Sequence, residues 1–246
     1  MRYKELTFEG RNAVLEAFRS GKTIDKLFVL DGSTDGPIKT IIREAKKTDC
    51  IINFVDKERL DRLAGTSRHQ GVVAIGAAYD YAEVEDILNL AREKGEDPFI
   101  FILDEIEDPH NLGAIIRTAN QAGAHGVIIP KRRAVGLTAT VAKTSAGAIN
   151  YTPVAKVTNI SKTIEELKKE GLWFVCADMG GETMYNLNLK GPIGLVIGNE
   201  GNGVSRLVKE KCDFVASIPM KGDIDSLNAS VAAGVLAYEI VRQRMV

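Results

Sequence analysis

Short segments that are apolar along their whole length alternate with amphipathic segments from Phe99 onward. The apolar segments predict β-strands, and several of the segments between them have a helical pattern. A strand that is apolar on both faces must be covered on both, as in a parallel sheet flanked by helices. We therefore predict an α/β fold with a parallel sheet, whose strands are Phe99–Leu103, Gly126–Ile129, Thr152–Val154, Leu172–Ala177, Ile193–Ile197 and Phe214–Ile218.

The N-terminal part of the chain carries a separate series of helical and strand patterns. Apolar residues at helical spacing alternate there with short β-branched runs, which indicates a compact α/β unit. The predicted elements are the helices Arg11–Ser20, Ile38–Thr48 and Lys57–Ala64 and the strands Lys26–Leu30, Ile51–Val55 and Val72–Ala77.

The segment Tyr79–Asp97 differs from both series because it is rich in glutamate and aspartate. It contains one amphipathic stretch, Val84–Arg92, and ends in Gly-Glu-Asp-Pro, a pattern typical of a linker with a helix of its own. We therefore predict a small α/β domain over residues 1–77, a linker over 78–98 and a second domain over 99–246.

The predicted last helix, Leu227–Arg244, is apolar on nearly all sides. Such a helix is buried, either in the sheet layer or at a subunit interface. Its main apolar stripe consists of Leu227, Val231, Val235, Tyr238 and Val241.

Composition narrows the class of protein. The formal net charge is −1, so nucleic acid could bind only to a local basic patch. Cys50, Cys176 and Cys212 are far apart and form no CxxC pair, which argues against a disulfide framework and fits a reducing cytoplasm. No secretory signal and no apolar run long enough to span a membrane is seen, and no histidine motif indicates a metal site.

The first segment that carries chemistry runs from Asp108 to Ala119, just after a predicted strand. Asp-Pro favours a turn, and Asn111 is suited to cap the helix that follows. We expect Arg117 near the start of this helix, lying over bare backbone at Gly113 and pointing toward the Asn111 loop. In open α/β sheets, ligands bind at this edge.

The second segment, Gly194–Val204, is a buried strand that runs into a glycine-rich loop. It is neither a dinucleotide fingerprint nor a phosphate loop, because the spacing and the Gly-Lys-Ser/Thr signature are missing. Glycines would let the backbone approach a ligand closely, although a plain glycine turn with Glu200 in solvent explains them equally.

The third segment, Ile218–Ser230, is the end of an apolar strand followed by a Pro-Met-Lys-Gly turn. We expect Ser226 to cap the last helix. Asn228 is a polar amide in the first turn of an otherwise apolar helix, so it requires partners from a ligand or a neighbouring loop.

In this order and spacing, the three segments resemble the SpoU (TrmH-like) family of RNA ribose 2′-O-methyltransferases, within the SPOUT class. The resemblance extends from about Leu103 to Arg244. Glu9–Val14 and Arg68–Val72 are similar to the small RNA-binding domain of the RlmB-like branch, which modifies a guanosine of large-subunit (23S) ribosomal RNA.

The resemblance implies a homodimer with a deep trefoil knot, S-adenosylmethionine (AdoMet) as methyl donor, and no metal. It implies that the catalytic residues are Arg117, Asn111, Glu200, Ser226 and Asn228, and that AdoMet binds at Ile197, Gly198, Gly201, Ile218, Met220 and Leu227. RNA contacts are expected at Arg11, Arg68, His69, Lys131, Arg132, Arg133 and Lys143.

By resemblance Arg117 activates the ribose hydroxyl. Because arginine keeps its proton to above about pH 12, we interpret it as a bridge between the hydroxyl and a phosphate that stabilises the developing oxyanion, rather than as a literal base.

Three alternatives stay open. The substrate could be transfer RNA, the protein could be a non-catalytic ribosome-assembly factor, or it could be an unrelated α/β enzyme with a nucleotide cofactor. The residues Arg117, Glu200 and Asn228 disfavour the second, and the missing nucleotide-binding signatures disfavour the third.

Overall fold

A computed structural model of the chain describes residues 6–48, 50–66, 68–223 and 226–245. The chain forms two compact units, the first over residues 1–80 with 136–139 and the second over residues 81–135 with 140–246. Within the described residues, no helix is long and apolar enough to cross a membrane.

The N-terminal unit is a four-stranded sheet with helices on both faces. The strand order is β1-β4-β2-β3, with β4 antiparallel to β1 and β2, and β2 parallel to β3. The predicted helices and strands are confirmed to within about two residues at each end, and β1 is an additional edge strand. The elements are β1 (Leu6–Glu9), α1 (Arg11–Arg19), β2 (Ile24–Leu30), α2 (Gly36–Lys47), β3 (Ile51–Val55), α3 (Lys57–Leu63) and β4 (Val72–Gly76).

Two apolar clusters hold this unit together. One lies under α1 and α2 and includes Val14, Ile41 and Val29, all fully buried. The other lies under α3, where Leu60 packs against Phe28 and Val73. The sheet is therefore covered on both faces, which fits the apolar pattern of its central strands.

The C-terminal unit contains the predicted parallel sheet, whose strand order is β10-β8-β9-β5-β6-β7. Every neighbouring pair in this sheet is parallel, so the predicted fold class is confirmed. The strands are β5 (Phe99–Leu103), β6 (Gly126–Pro130), β7 (Val154–Val157), β8 (Trp173–Thr183), β9 (Ile193–Ile197) and β10 (Phe214–Ser217). The helices are α4 (Val84–Lys94), α5 (Pro109–Gln121), α6 (Ala139–Thr144, which begins in the N-terminal unit), α7 (Ile160–Lys169), α8 (Arg206–Lys209) and α9 (Ala229–Arg244).

The helix predicted inside the linker is α4, and it packs within the C-terminal unit. Its Ile87 and Leu88 belong to the same apolar cluster as Ile100 of β5 and Ile164 of α7. A glutamate, Glu83, begins the helix in a capping box with Asp86.

The strand β8 is longer than predicted and its pairing is interrupted. Val215 of β10 pairs with Cys176, but the next residue, Ala216, pairs with Glu182. The intervening residues of β8 leave the ladder, and Gly181 lies so close to Val215 that a β-carbon there would overlap the Val215 carbonyl.

The structure corrects both predicted helix caps. Asp108, not Asn111, caps α5, because its carboxylate accepts the His110 N–H at 2.9 Å. Asn228, not Ser226, caps α9, since its side chain accepts from Ser230 N and Val231 N. Accordingly, α9 begins at Ala229 rather than at Leu227.

Within this chain α9 is buried on one side only. Ala233, Leu236 and Ile240 are fully buried, whereas Val231 is 49% exposed and Tyr238 is 53% exposed. The apolar stripe identified in the sequence is thus the outward face of α9 and not the buried one.

His125 is a buried, titratable group at the start of β6. Its Nδ1 accepts the Phe99 N–H at 3.0 Å, and its Nε2 lies 3.1 Å from Glu96 Oε2. Burial lowers the pKa of His125 below its ordinary value, although the hydrogen bond to Glu96 opposes this. The neutral ring is therefore the form that the fold favours.

We predict that His125 makes stability depend on pH. Because its pKa is lower in the folded state, its contribution is complete above the ordinary histidine value of about 6.5 and is lost as the pH falls through the folded pKa. His125→Asn keeps an acceptor for Phe99 but cannot titrate, so urea unfolding of this variant should lose less stability between pH 7.5 and 5. His110→Asn, on exposed α5 surface, serves as the control, and equal losses in the wild-type chain and in His125→Asn would contradict the prediction.

Candidate active site

The three segments that were predicted to carry the chemistry meet at the carboxyl edge of the C-terminal sheet. β5 and β9 lie side by side, with Leu103 paired to Ile197 at their ends. The chain order reverses between these two strands, which is where open α/β sheets form their ligand crevice.

The loops that follow β5 and β9 are fastened to each other. Asp104 is 5% exposed, and its Oδ2 accepts the Ser205 N–H at 2.7 Å. Asn199 donates from Nδ2 to the Glu105 carbonyl at 3.1 Å. Asp104 was not among the predicted site residues, although a carboxylate directly after a fully buried strand was a signal of a partner at this edge.

The glycine-rich loop after β9 is a tight backbone hairpin. Asn199 N donates to Gly203 O at 3.1 Å, and Gly203 N donates to Asn199 O at 2.8 Å. Gly198 is buried, and a β-carbon there would overlap the backbone of Gly203. Two of the residues predicted to bind cofactor, Gly198 and Gly201, therefore lie in a loop whose closure requires the first glycine.

Three of the predicted catalytic side chains form one hydrogen-bonded cluster. Asn111 Nδ2 donates to Glu200 Oε1 at 2.9 Å, and Asn228 Nδ2 donates to Asn111 Oδ1 at 3.0 Å and also to Glu200 Oε1. Asn228 uses its own Oδ1 to cap α9. The partners that the sequence required for this amide are thus the two other loops, and the cluster joins all three segments.

Arg117 and Ser226 lie outside this cluster. Arg117 is exposed in the second half of the 13-residue α5, about 9 Å along the helix axis from Asn111. Within the described part of the chain, neither the Arg117 side chain nor the Ser226 side chain has a hydrogen-bond or ion-pair partner. The Arg117 side chain is therefore available to a ligand.

Gly113 of α5 is required by a contact with another helix and not, as was predicted, by the Arg117 side chain. A β-carbon at Gly113 would overlap Thr144 Oγ1 of α6, so this position allows α5 and α6 to approach closely. Gly113 is buried by this contact, and the expected position of Arg117 over bare backbone is wrong.

Of the remaining residues predicted to bind cofactor, three follow β10 and precede α9, and the fourth, Ile197, is the last residue of β9. Ile218, Met220 and Leu227 are half-buried, and Ile197 is 2% exposed. No described residue hydrogen-bonds the peptide groups of Ile218 or Met220. Such free backbone groups beside apolar side chains fit the polar edge and the flat faces of an adenine ring.

The residues predicted to contact RNA have varied surroundings. Arg68, Arg132 and Lys143 are exposed. Arg11 donates to the Gln70 carbonyl and pairs with Asp35 at 2.6 Å, and Arg133 pairs with Glu105 at 2.9 Å. Lys131 is half-buried and has a partner of its own.

His69 does not suit the direct RNA contact predicted for it. The side chain is 5% exposed, its Nδ1 accepts the Gly71 N–H, and its Nε2 lies 2.9 Å from Asp61 Oδ1.

No group of three or more histidine, cysteine, aspartate or glutamate side chains in the described part of the chain could hold a metal ion.

Family profiles match both units. Residues 98–238 match the SpoU rRNA Methylase family, and residues 8–82 match the family described as RNA 2′-O ribose methyltransferase substrate binding.

Close relatives extend over nearly the whole chain. YacO of Bacillus subtilis (strain 168), named as a TrmH family tRNA/rRNA methyltransferase, is 52% identical over 236 residues, 96% of this chain and 94% of the relative. A Staphylococcus aureus protein of the same family name is 48% identical over 96% of this chain and 95% of its own.

Solved structures of SpoU and TrmH proteins have folds similar to that of this chain. The SpoU methyltransferase AviRb of Streptomyces viridochromogenes in complex with AdoMet has the same fold, with a TM-score of 0.61 and 24% identity over 98% of this chain and 91% of its own. The TrmH/SpoU tRNA modifying enzyme of A. aeolicus is 29% identical over 65% of this chain and 83% of its own, with a TM-score of 0.56. The chain therefore belongs to the SpoU (TrmH) family of RNA methyltransferases.

Proposed function

We propose that the protein transfers a methyl group from AdoMet to the ribose 2′-hydroxyl of a guanosine in large-subunit (23S) ribosomal RNA. The observation that carries this proposal is the Asn111–Glu200–Asn228 cluster, which joins the first turn of α5, the loop after β9 and the start of α9 at the carboxyl edge of the sheet. AdoMet would bind between two of these segments. The glycine hairpin lies in the loop after β9, and the half-buried apolar side chains, with peptide groups that have no described partner, lie between β10 and α9.

In this proposal the Asn111–Glu200–Asn228 cluster positions the surrounding segments, and Arg117 activates the ribose 2′-hydroxyl. Asn111, Glu200 and Asn228 hold the three segments in one arrangement, and Ser226 fixes the hydroxyl or the loop over the cofactor. Ile218, Met220 and Leu227 would hold the adenine, with Ile197, Gly198 and Gly201 supplying the adjoining backbone. AdoMet supplies an electrophilic methyl group, and orientation of the attacking oxygen is the main contribution of the chain.

Arg117 would bind the 2′-hydroxyl and a neighbouring phosphate with its planar fork. Its side chain has no described protein partner to give up, so binding RNA would break no interaction within the fold. The guanidinium would then stabilise negative charge as it develops on oxygen.

RNA would reach the site through basic side chains on the surface. Arg68, Arg132 and Lys143 are exposed and their side chains have no described partner, so they would bind phosphates directly. Phosphates would also bind to three basic residues that have partners within the protein, Arg11, Lys131 and Arg133, which would keep or exchange those partners. The free cysteines Cys50, Cys176 and Cys212 fit the reducing cytoplasm, where we propose that the protein works. The trefoil knot stays a prediction.

The decisive experiment is methyl transfer from tritiated AdoMet to protein-free large-subunit RNA, with total transfer RNA in parallel. A 2′-O-methyl group blocks alkaline cleavage at that nucleotide, so the label should appear in an alkali-resistant dinucleotide that contains guanosine. Label in transfer RNA would keep the chemistry and replace the substrate, which the tRNA/rRNA names of the relatives allow equally. Label in neither RNA would contradict the proposal for naked RNA.

We also propose that the chain is a homodimer through α9. Tyr238→Glu would place a charge in the apolar stripe of this helix, and we expect it to convert a dimer to a monomer in analytical ultracentrifugation. Leu207→Glu, at an apolar side chain of α8 that is 64% exposed, is the matched control and should remain dimeric. A wild-type monomer, or a Tyr238→Glu dimer of unchanged affinity, would contradict the interface.

A further inference from the structure

A cavity of about 390 Å³ lies in the N-terminal unit, next to His69 and Arg68, two of the residues predicted to contact RNA. It is bounded by α3 and the turn that follows it, through Lys57, Asp61, Ala64, Gly65 and Thr66. Its volume is at the lower end of the range for small-molecule pockets, about 300–1,000 Å³.

One wall of the cavity carries a carboxylate whose orientation is fixed from beneath. The Gly71 N–H donates to His69 Nδ1 at 3.1 Å, which places the proton of the neutral ring on Nε2. Nε2 then donates to Asp61 Oδ1 at 2.9 Å. Because His69 is 5% exposed, the buried ring holds an exposed carboxylate, and no described residue binds the other oxygen, Oδ2.

A second carboxylate, Glu9, holds the turn that forms another part of the cavity wall. Glu9 accepts from Gly65 N at 2.6 Å, from Thr66 N at 3.1 Å and from Thr66 Oγ1 at 2.7 Å. The hydrogen bonds from the Thr66 hydroxyl and the Gly65 amide lower the pKa of Glu9, so it stays ionised and keeps the turn in place. The cavity is thus organised before any ligand arrives, which limits the entropy lost on binding.

The chemistry of Asp61 selects among the parts of an RNA. An ionised carboxylate only accepts hydrogen bonds, and it repels phosphate. It suits a base edge that presents adjacent donors, and guanine alone among the four bases does so, through N1–H and the N2 amino group. Unpaired bases display this edge to proteins, whereas paired ones do not.

We infer that this cavity binds one unpaired guanine base, with Asp61 accepting from its Watson–Crick edge and Lys57 near the phosphate. The inference rests on the proposed function, since it makes the N-terminal unit a base-reading module for the RNA substrate. Asp61 is then a specificity residue, and His69 is the residue that positions it.

The test is fluorescence anisotropy of the full chain with labelled uridine heptamers that carry guanosine, inosine or adenosine at the centre. Inosine lacks only the N2 amino group. We expect at least about tenfold tighter binding of the guanosine heptamer than of the adenosine heptamer, with inosine between them.

Asp61→Asn is the informative variant because it keeps an oxygen for His69 and turns the free oxygen into a donor. It should lose the preference for guanosine, whereas Glu58→Gln, which removes an exposed charge from the same helix, should keep it. A melting temperature of Asp61→Asn close to that of the wild-type chain would show that the hydrogen bond from His69 to residue 61 persists.

Equal binding of the three heptamers by the wild-type chain would overturn the inference, as would a guanosine preference that survives in Asp61→Asn. Binding of none of them would overturn it too. In each case the methyl-transfer assay decides the proposed function separately, because it requires neither this preference nor these oligonucleotides.

Discussion

Replacing Arg117 with alanine is expected to slow methyl transfer by roughly 10²–10³-fold, with little change in AdoMet affinity. The reason is that the guanidinium would act on the 2′-oxygen as negative charge develops there, and not on the bound cofactor. Because Arg117 is exposed and has no described partner, its removal leaves no buried group unpaired. Single-turnover rates with saturating protein and calorimetric binding of AdoMet measure the two quantities separately.

Two further variants sharpen this prediction. Arg117→Lys keeps the charge but loses the planar fork, so we expect a rate between those of the wild-type chain and Arg117→Ala. Arg43→Ala removes an exposed arginine from α2 and should leave the rate unchanged. Full activity of Arg117→Lys would contradict the role of the fork, and full activity of Arg117→Ala would remove Arg117 from the reaction.

Gly198→Ala is expected to have the second large effect, a loss of roughly 10–100-fold in AdoMet affinity. The new β-carbon would overlap the backbone of Gly203, and backbone cannot rotate away as a side chain can. Overpacking of this kind costs about 1–3 kcal/mol, which opens the hairpin between Asn199 and Gly203. Isothermal titration calorimetry with AdoMet, together with thermal unfolding, checks the prediction.

The matched control is Gly222→Ala, in the loop after β10. Nothing lies within 4 Å of a β-carbon built at Gly222, so AdoMet affinity should be unchanged. If Gly198→Ala bound AdoMet as tightly as the wild-type chain, the closed hairpin would not be the form that holds the cofactor.

The parallel sheet was predictable because its strands are covered on both faces. Phe99–Leu103 and Ile193–Ile197 are apolar throughout, and each is buried along its whole length. β1 was missed because an edge strand of four residues with one partner carries too little pattern. The continuation of β8 was missed because Met179, Gly180 and Gly181 do not resemble a strand and leave the ladder in part.

Both errors in the helix caps came from neighbouring residues with the same capping ability. Asp108 and Asn111 are each good caps, but Pro109 between them fits the first position of a helix, which favours Asp108. Ser226 and Asn228 present the same choice. Asn111, which does not cap α5, and Asn228, which caps α9, both contribute to the Asn111–Glu200–Asn228 cluster.

The composition of the site was easier to predict than its geometry. The resemblance of the three segments to the SpoU family brought Asn111, Glu200 and Asn228 into one hypothesis, and they are in contact. Arg117 was assigned to the same place because Gly113 suggested a seat for it, whereas Thr144 fills that position. A close helix approach and a ligand seat both require glycine, so the residue type alone does not distinguish them.

The strand order of the C-terminal sheet has a consequence for how the protein is made. The chain builds outward from β5 to β7 and then returns to place β9 beside β5. Asn111 is therefore synthesised well before Glu200, and Asn228 comes later still, at the start of α9. A nascent chain that has folded its first sheet strands still lacks two members of the cluster. On the ribosome, the competent site can close only after α9 has emerged, so RNA near the exit tunnel meets no partly active form of this protein.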